Sequence, residues 1–70
     1  MITKKDKLLG KSIKKLRRSQ KLTQEELANK VRVTPKYIQF IESGNRKPSL
    51  RLLQKLSRAL EVKVKDIFPY

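Results

Sequence analysis

The chain contains no cysteine and no histidine. Disulfide staples are therefore excluded, and so are zinc sites built on thiolate and imidazole. Catalysis by a histidine base or a thiolate nucleophile goes with them, leaving six Asp and Glu residues for any acid–base chemistry. No apolar run exceeds two residues, far short of a membrane span or a secretory signal core. Acidic charge is scarce too. Nineteen Lys and Arg outnumber the six acids, for a formal net charge of +13. A field of that sign favours nucleic acid, an anionic membrane or an acidic partner. The lack of disulfides fits a reducing compartment, and the expected location is the cytoplasm, on the nucleoid. Seventy residues allow one domain, read as spanning 1–70, with a thin core.

What is present is a series of short amphipathic helices separated by turn signals. Thr3 and Asp6 form a weak capping-box-like pair, and Leu9, Ile13 and Leu16 then recur at helical spacing. This predicts a first helix from about Lys5 to Ser19, with Lys11, Lys14, Lys15 and Arg18 on its other face. Thr23 followed by Glu26 is a capping box, opening a second helix that runs to about Lys30 and buries Leu27, Ala28 and Val31. Thr34 before Pro35 opens a third, ending at Glu42 or Ser43, with Gly44 as its left-handed cap. Ser49 caps a fourth helix that should bury Leu50, Leu53, Leu56 and Leu60. Val62, Val64, Ile67 and Phe68 then form a last short turn that closes the core. The fold class expected is all-α.

Only Arg32 to Thr34 separate the second and third helices, so the two must cross in contact. From Gln24 onward, apolar residues fall at Leu27, Val31, Val33, Ile38 and Ile41, with small Ala28 at the crossing. That spacing is the signature of a helix-turn-helix. With Ile38 and Ile41 facing inward, about 100° per residue puts Lys36, Gln39, Phe40 and Ser43 on the opposite face. Lys36 can donate to guanine O6 or N7, Gln39 can pair bidentately with adenine, and Phe40 can touch a thymine methyl.

The blocks IKKLR, LTQEELA, VTPKYIQFIESG, KPSL, KLSRAL and VKDIF resemble the Cro/cI-type (Xre-like) helix-turn-helix domain of phage repressors and small bacterial regulators. The resemblance covers residues 9–68. It implies a compact five-helix, lambda-repressor-like fold whose third helix lies in the major groove, with Pro35 joining Lys36, Gln39 and Phe40 as base-reading residues. Thr23 and Gln24 match the family's first phosphate grip. Ser43, Asn45, Arg46, Lys47 and Ser49 resemble the second. Arg17 and Glu42 match a partly buried salt bridge that locks helix 3 on helix 1.

Three positions depart from the family pattern, for Lys21, Arg32 and Glu61 stand where it usually has glycine. A left-handed backbone there costs about 1 kcal/mol each, so the turns either rearrange or lower the stability. Lys63 replaces the usual cap of the last helix, which should be short or frayed. The expected partner is double-stranded DNA with a two-fold symmetric operator, bound by a homodimer. The expected dimer surface is Leu52, Ile67, Phe68 and Tyr70, with Phe40 and Leu52 exposed. The function implied is a sequence-specific transcriptional regulator, a repressor. The alternative is an antitoxin or another protein-interaction module, with a toxin as partner. No cofactor, metal or membrane is expected, and no enzymatic activity.

Overall fold

A computed structural model describes residues 2–70. Five helices follow in order: α1 (Lys4–Ser19), α2 (Gln24–Val31), α3 (Pro35–Ser43), α4 (Leu50–Leu60) and α5 (Val64–Ile67). The described residues form no strand, and the fold class is all-α as expected.

Four of the five starts are set by a hydroxyl. Thr3, Thr23, Thr34 and Ser49 each accept a hydrogen bond from the backbone N–H three residues on, satisfying one of the donors a helix leaves unpaired at its mouth. Thr3 and Thr23 complete full capping boxes with Asp6 and Glu26. Lys63 has no acceptor to offer. The carboxylate of Asp66 reaches back to its N–H at 3.1 Å instead, and the helix that follows is a single turn of four residues.

The core is formed by Leu9, Ile13, Leu27, Ala28, Val31, Ile38, Ile41, Leu52, Leu53, Leu56, Leu60 and Ile67. Helix α1 crosses α3, and α2 touches both α3 and α4. The approach of α1 to α3 is closest at Gly10, where a Cβ would lie 2.5 Å from the carbonyl oxygens of both Ile41 and Glu42. Only a residue without a side chain fits there.

Expectations for five residues are corrected by this packing. Leu50, expected in the core, is 67% exposed, while Leu52, expected on the surface, is 6% exposed. The four-leucine helix is therefore rotated so that Leu52 and Leu53, rather than Leu50 and Leu53, open the buried stripe. Ile67 is fully buried, so it closes the core and is not available to a second copy. Phe40 is half-buried rather than exposed, and Val33 likewise is only partly covered.

The three non-glycine positions keep the left-handed turn. Lys21, Arg32 and Glu61 have φ of 58°, 60° and 58°. What holds them there is the residue after each. Leu22, Val33 and Val62 all pack partly buried against the core. Their N–H groups bond back five residues, to Arg17, Ala28 and Ser57, at 3.1, 3.0 and 3.0 Å. This is a Schellman closure with its hydrophobic contact, and it offsets a local cost of about 1 kcal/mol per residue. Gly44, with φ of 86°, makes the same closure without strain, Asn45 bonding back to Phe40 at 2.8 Å.

Candidate nucleic-acid interface

The site begins from a buried charge. Arg17 on α1 and Glu42 at the end of α3 have side chains only 9% and 3% exposed. Arg17 Nε donates to Glu42 Oε2 at 2.7 Å, and its Nη2 donates to Oε1 at 3.1 Å. The remaining Nη1 donates to the carbonyl of Leu22 at 2.7 Å. Gln24 Nε2 completes the arrangement by donating to Glu42 Oε1 at 3.0 Å. One carboxylate thus ties together α1, the mouth of α2 and the end of α3. Both partners are satisfied, as burial of charge requires. The salt bridge expected between Arg17 and Glu42 is present, and the bond from Gln24 is additional to it.

This arrangement fixes what α3 presents outward. Pro35, Lys36, Gln39 and Ser43 are exposed along one side, and Phe40 is half-buried among them. Lys36 Nζ stands 5.9 Å from the Phe40 ring centroid, within cation–π range. The Ser43 hydroxyl donates to the Phe40 carbonyl at 3.0 Å and accepts from Asn45 Nδ2 at 2.8 Å. Asn45, Arg46 and Lys47 continue as an exposed polar loop to Ser49, the cap of α4. Lys47 Nζ lies 3.9 Å from Asp6 Oδ1, but its side chain is 73% exposed and free to swing away. The Asp6 carboxyl is held below its ordinary range. The main cause is the hydrogen bond it accepts from the Thr3 N–H, with Lys47 nearby adding to the effect.

Beside α3 lies a hollow of about 530 Å³ lined by Lys14, Arg17, Arg18, Thr23, Gln24, Glu25 and Pro35. It sits where the first turn of α2 meets the first residue of α3. The N–H groups of that first turn have no carbonyl one turn back to bond, and the helix dipole is positive there. Two cations from α1, Lys14 and Arg18, border the same hollow. Sequence reasoning placed both on the outer face of α1 but gave them no role. Their spacing of four residues was visible, but the crossing angle that turns that face toward Thr23 was not.

Of the proposed dimer residues, Phe68 is half-buried and Tyr70 is exposed, while Leu52 and Ile67 are in the core. Phe68 and Tyr70 stack edge to face with centroids 5.9 Å apart, and Lys5 Nζ lies 5.3 Å from the Tyr70 ring. No group of carboxylates among the described residues is arranged to hold a metal ion, and none of the described helices is long and apolar enough to cross a membrane.

A short helix capped by Thr23 and locked across a second one with an exposed polar face defines a helix-turn-helix of the nucleic-acid-binding class. The family model described as Helix-turn-helix matches residues 13–67, and the chain belongs to that Cro/cI-type (Xre-like) family of transcription regulators. An uncharacterized HTH-type transcriptional regulator of Archaeoglobus fulgidus is 45% identical over 56 residues, covering 80% of this chain and 79% of that one. Multiprotein-bridging factor 1 of Candida albicans is 45% identical over 64 residues, covering 91% of this chain. The match spans only 42% of the bridging factor's length. Among solved structures, that of the master regulator for biofilm formation SinR in complex with DNA is 33% identical. It superposes with a TM-score of 0.79 over 84% of this chain and 95% of that one.

Proposed function

We propose that this protein is a sequence-specific double-stranded DNA-binding regulator, a repressor, that reads the major groove with α3. The observation that carries the proposal is the outward row Lys36, Gln39 and Phe40, held by the buried Arg17–Glu42–Gln24 cluster beside a cation-rimmed hollow at the mouth of α2. Pro35, Lys36, Gln39 and Phe40 read base edges. Thr23, Gln24, Lys14 and Arg18 grip phosphate on one side, and Ser43, Asn45, Arg46, Lys47 and Ser49 grip it on the other. Because Gln24 Nε2 has one proton committed to Glu42, its second proton makes the phosphate contact.

One α3 offers few base contacts, so two copies bind a two-fold symmetric operator, their reading helices about one helical turn apart. The surfaces left for their contact are Phe68, Tyr70 and the exposed Leu50. The protein acts in the cytoplasm on nucleoid DNA, without cofactor or catalysis.

The test is a footprint on DNA flanking the gene, paired with a salt series on one duplex. Six to ten phosphate contacts give a log–log salt slope of about −5 to −9. Lys36→Ala should relax sequence preference by ~1–3 kcal/mol at one base position, and Lys47→Ala should weaken all duplexes alike. Equal loss on every duplex for both variants would refute the assigned roles.

A second reading is favoured by the bridging-factor relatives at 45% identity: the domain engages a protein partner, with or without DNA. An antitoxin with a toxin as partner is one form of it.

A further inference from the structure

A second basic surface adjoins the residues assigned to DNA and shares only Ser49 with them. A hollow of about 510 Å³ is lined by Lys30, Val31, Arg32, Lys55, Arg58 and Ala59. A second, of about 210 Å³, is lined by Val31, Val33, Tyr37, Ser49, Arg51, Leu52 and Lys55. The two share Val31 and Lys55, so they form one groove between α4 and the α2–α3 turn. One wall is the row Arg51, Lys55 and Arg58. Lys30 and Arg32 stand opposite, and the floor is apolar. All five cations are exposed, and none has an acidic partner among the described residues.

Helix stability accounts for only part of this. Lys30 and Arg58 lie in the last turns of α2 and α4, where a cation complements the dipole. Arg51 lies in the first turn of α4, where it opposes the dipole, and that turn carries no acid. Lys55 follows Arg51 by four residues and precedes Arg58 by three, so the row repels itself along one helix face. Arg51 and Lys55 thus gain nothing from the helix on which they stand.

Apart from Ser49, the groove shares no lining residue with those assigned to DNA. It lies at the carboxyl end of α2, about 12 Å along the helix from Thr23. Its chemistry further separates it from a phosphate track. Val33, Tyr37 and Ala59, each partly exposed, offer apolar contact between the cations, and a duplex backbone has nothing to place there. A second copy of this chain is a poor occupant at +13, with only six acids, one of them the buried Glu42.

We propose that this groove binds an acidic segment of a partner protein, in which carboxylates alternate with apolar side chains over about two helical turns. The carboxylates meet Arg51, Lys55, Arg58, Lys30 and Arg32, and the apolar side chains meet the floor. The site stands apart from the DNA reading except at Ser49, which lines the rim of the smaller hollow.

The test is fluorescence anisotropy at physiological ionic strength with three probes. These are a labelled peptide of about ten residues with glutamate and leucine at helical spacing, the same peptide with serine for leucine, and a short DNA duplex. The variant is Lys55→Gln with Arg58→Gln. Its control is Lys11→Gln with Lys15→Gln, an equal loss of charge at exposed positions on α1 that line neither groove. Circular dichroism checks that both remain folded, as surface substitutions of this kind should.

The expected result is tenfold weaker binding of the leucine-bearing peptide by the first variant, about 1.4 kcal/mol. The control should stay within about twofold of the parent. The serine peptide should bind more weakly than the leucine one. Duplex binding should fall no more in the first variant than in the control. No peptide binding, equal losses in the two variants, or equal binding of the two peptides would each overturn the proposal. Displacement of the peptide by the duplex would overturn it as well, making the groove a nucleic-acid surface. Absence of duplex binding with peptide binding intact would count against the DNA reading alone.

Discussion

Replacing Arg17 with methionine leaves the Glu42 carboxylate buried with only the Gln24 amide as donor. Replacing Glu42 with leucine leaves the Arg17 guanidinium buried with only the Leu22 carbonyl. Breaking a buried pair from one side costs ~3–5 kcal/mol, whereas exchanging both partners for apolar groups of similar volume is often neutral or better. At about 0.05–0.15 kcal/mol per residue, 70 residues give a total stability of roughly 3.5–10 kcal/mol. Each single variant should therefore lose from about a third to all of that stability. The double variant, Arg17→Met with Glu42→Leu, should recover most of the loss. The measurement is urea unfolding followed by far-ultraviolet circular dichroism, with an osmolyte added to keep the single variants folded at the start. A coupling energy of more than about 2 kcal/mol across the cycle is expected. The reasoning fails if Arg17→Met alone costs under about 1 kcal/mol, the range of a solvent-exposed pair. The double variant should still lose DNA affinity, since Gln24 is no longer held and α3 no longer fixed by three donors.

Three further outcomes follow from the backbone and the caps. Gly10→Ala should destabilise by about 1–3 kcal/mol through overpacking against the Ile41 and Glu42 carbonyls, despite a helix-propensity gain of ~1 kcal/mol; a raised melting temperature would contradict the close crossing. Lys21→Gly, Arg32→Gly and Glu61→Gly should each stabilise by up to about 1 kcal/mol by relieving left-handed backbone, read as thermal midpoints for the three separately. Asp6, whose pKa is depressed in the folded state, contributes stability that is complete above its unfolded value and is lost as pH falls through the lower folded value; Asp6→Asn should remove that part of the acid limb in a melting series against pH.

Much of the architecture was legible because each helix announces itself locally. A hydroxyl residue three positions before a free N–H, followed by apolar residues at helical spacing, marks α2, α3 and α4 without reference to any neighbour. What was misread depends on neighbours. Adjacent leucines at 50, 52 and 53 fit two rotations of α4 about equally. The choice falls to Leu52, which the fold places beside Val31 of α2, Val33 of the turn and Tyr37 of α3. Ile67 fitted both a core-closing and a dimer role; it goes to the core because a four-residue helix can persist only by burying its apolar side chain. The bond from Gln24 to Glu42 spans 18 residues, and no local pattern reveals it. The left-handed turns at Lys21, Arg32 and Glu61 oppose local preference. They are imposed by the apolar residue that follows each one and must reach the core.

The Ser12 hydroxyl donates to the carbonyl of Ile67, 55 residues away. That bond and the buried Ile67 side chain buckle α5 onto α1, and α1 in turn bears α3. The smallest helix is thus mechanically in series with the crossing of α1 and α3. Amide hydrogens in α3 should then exchange in step with those of α1, and loosening of the buckle should reach the reading face without touching it.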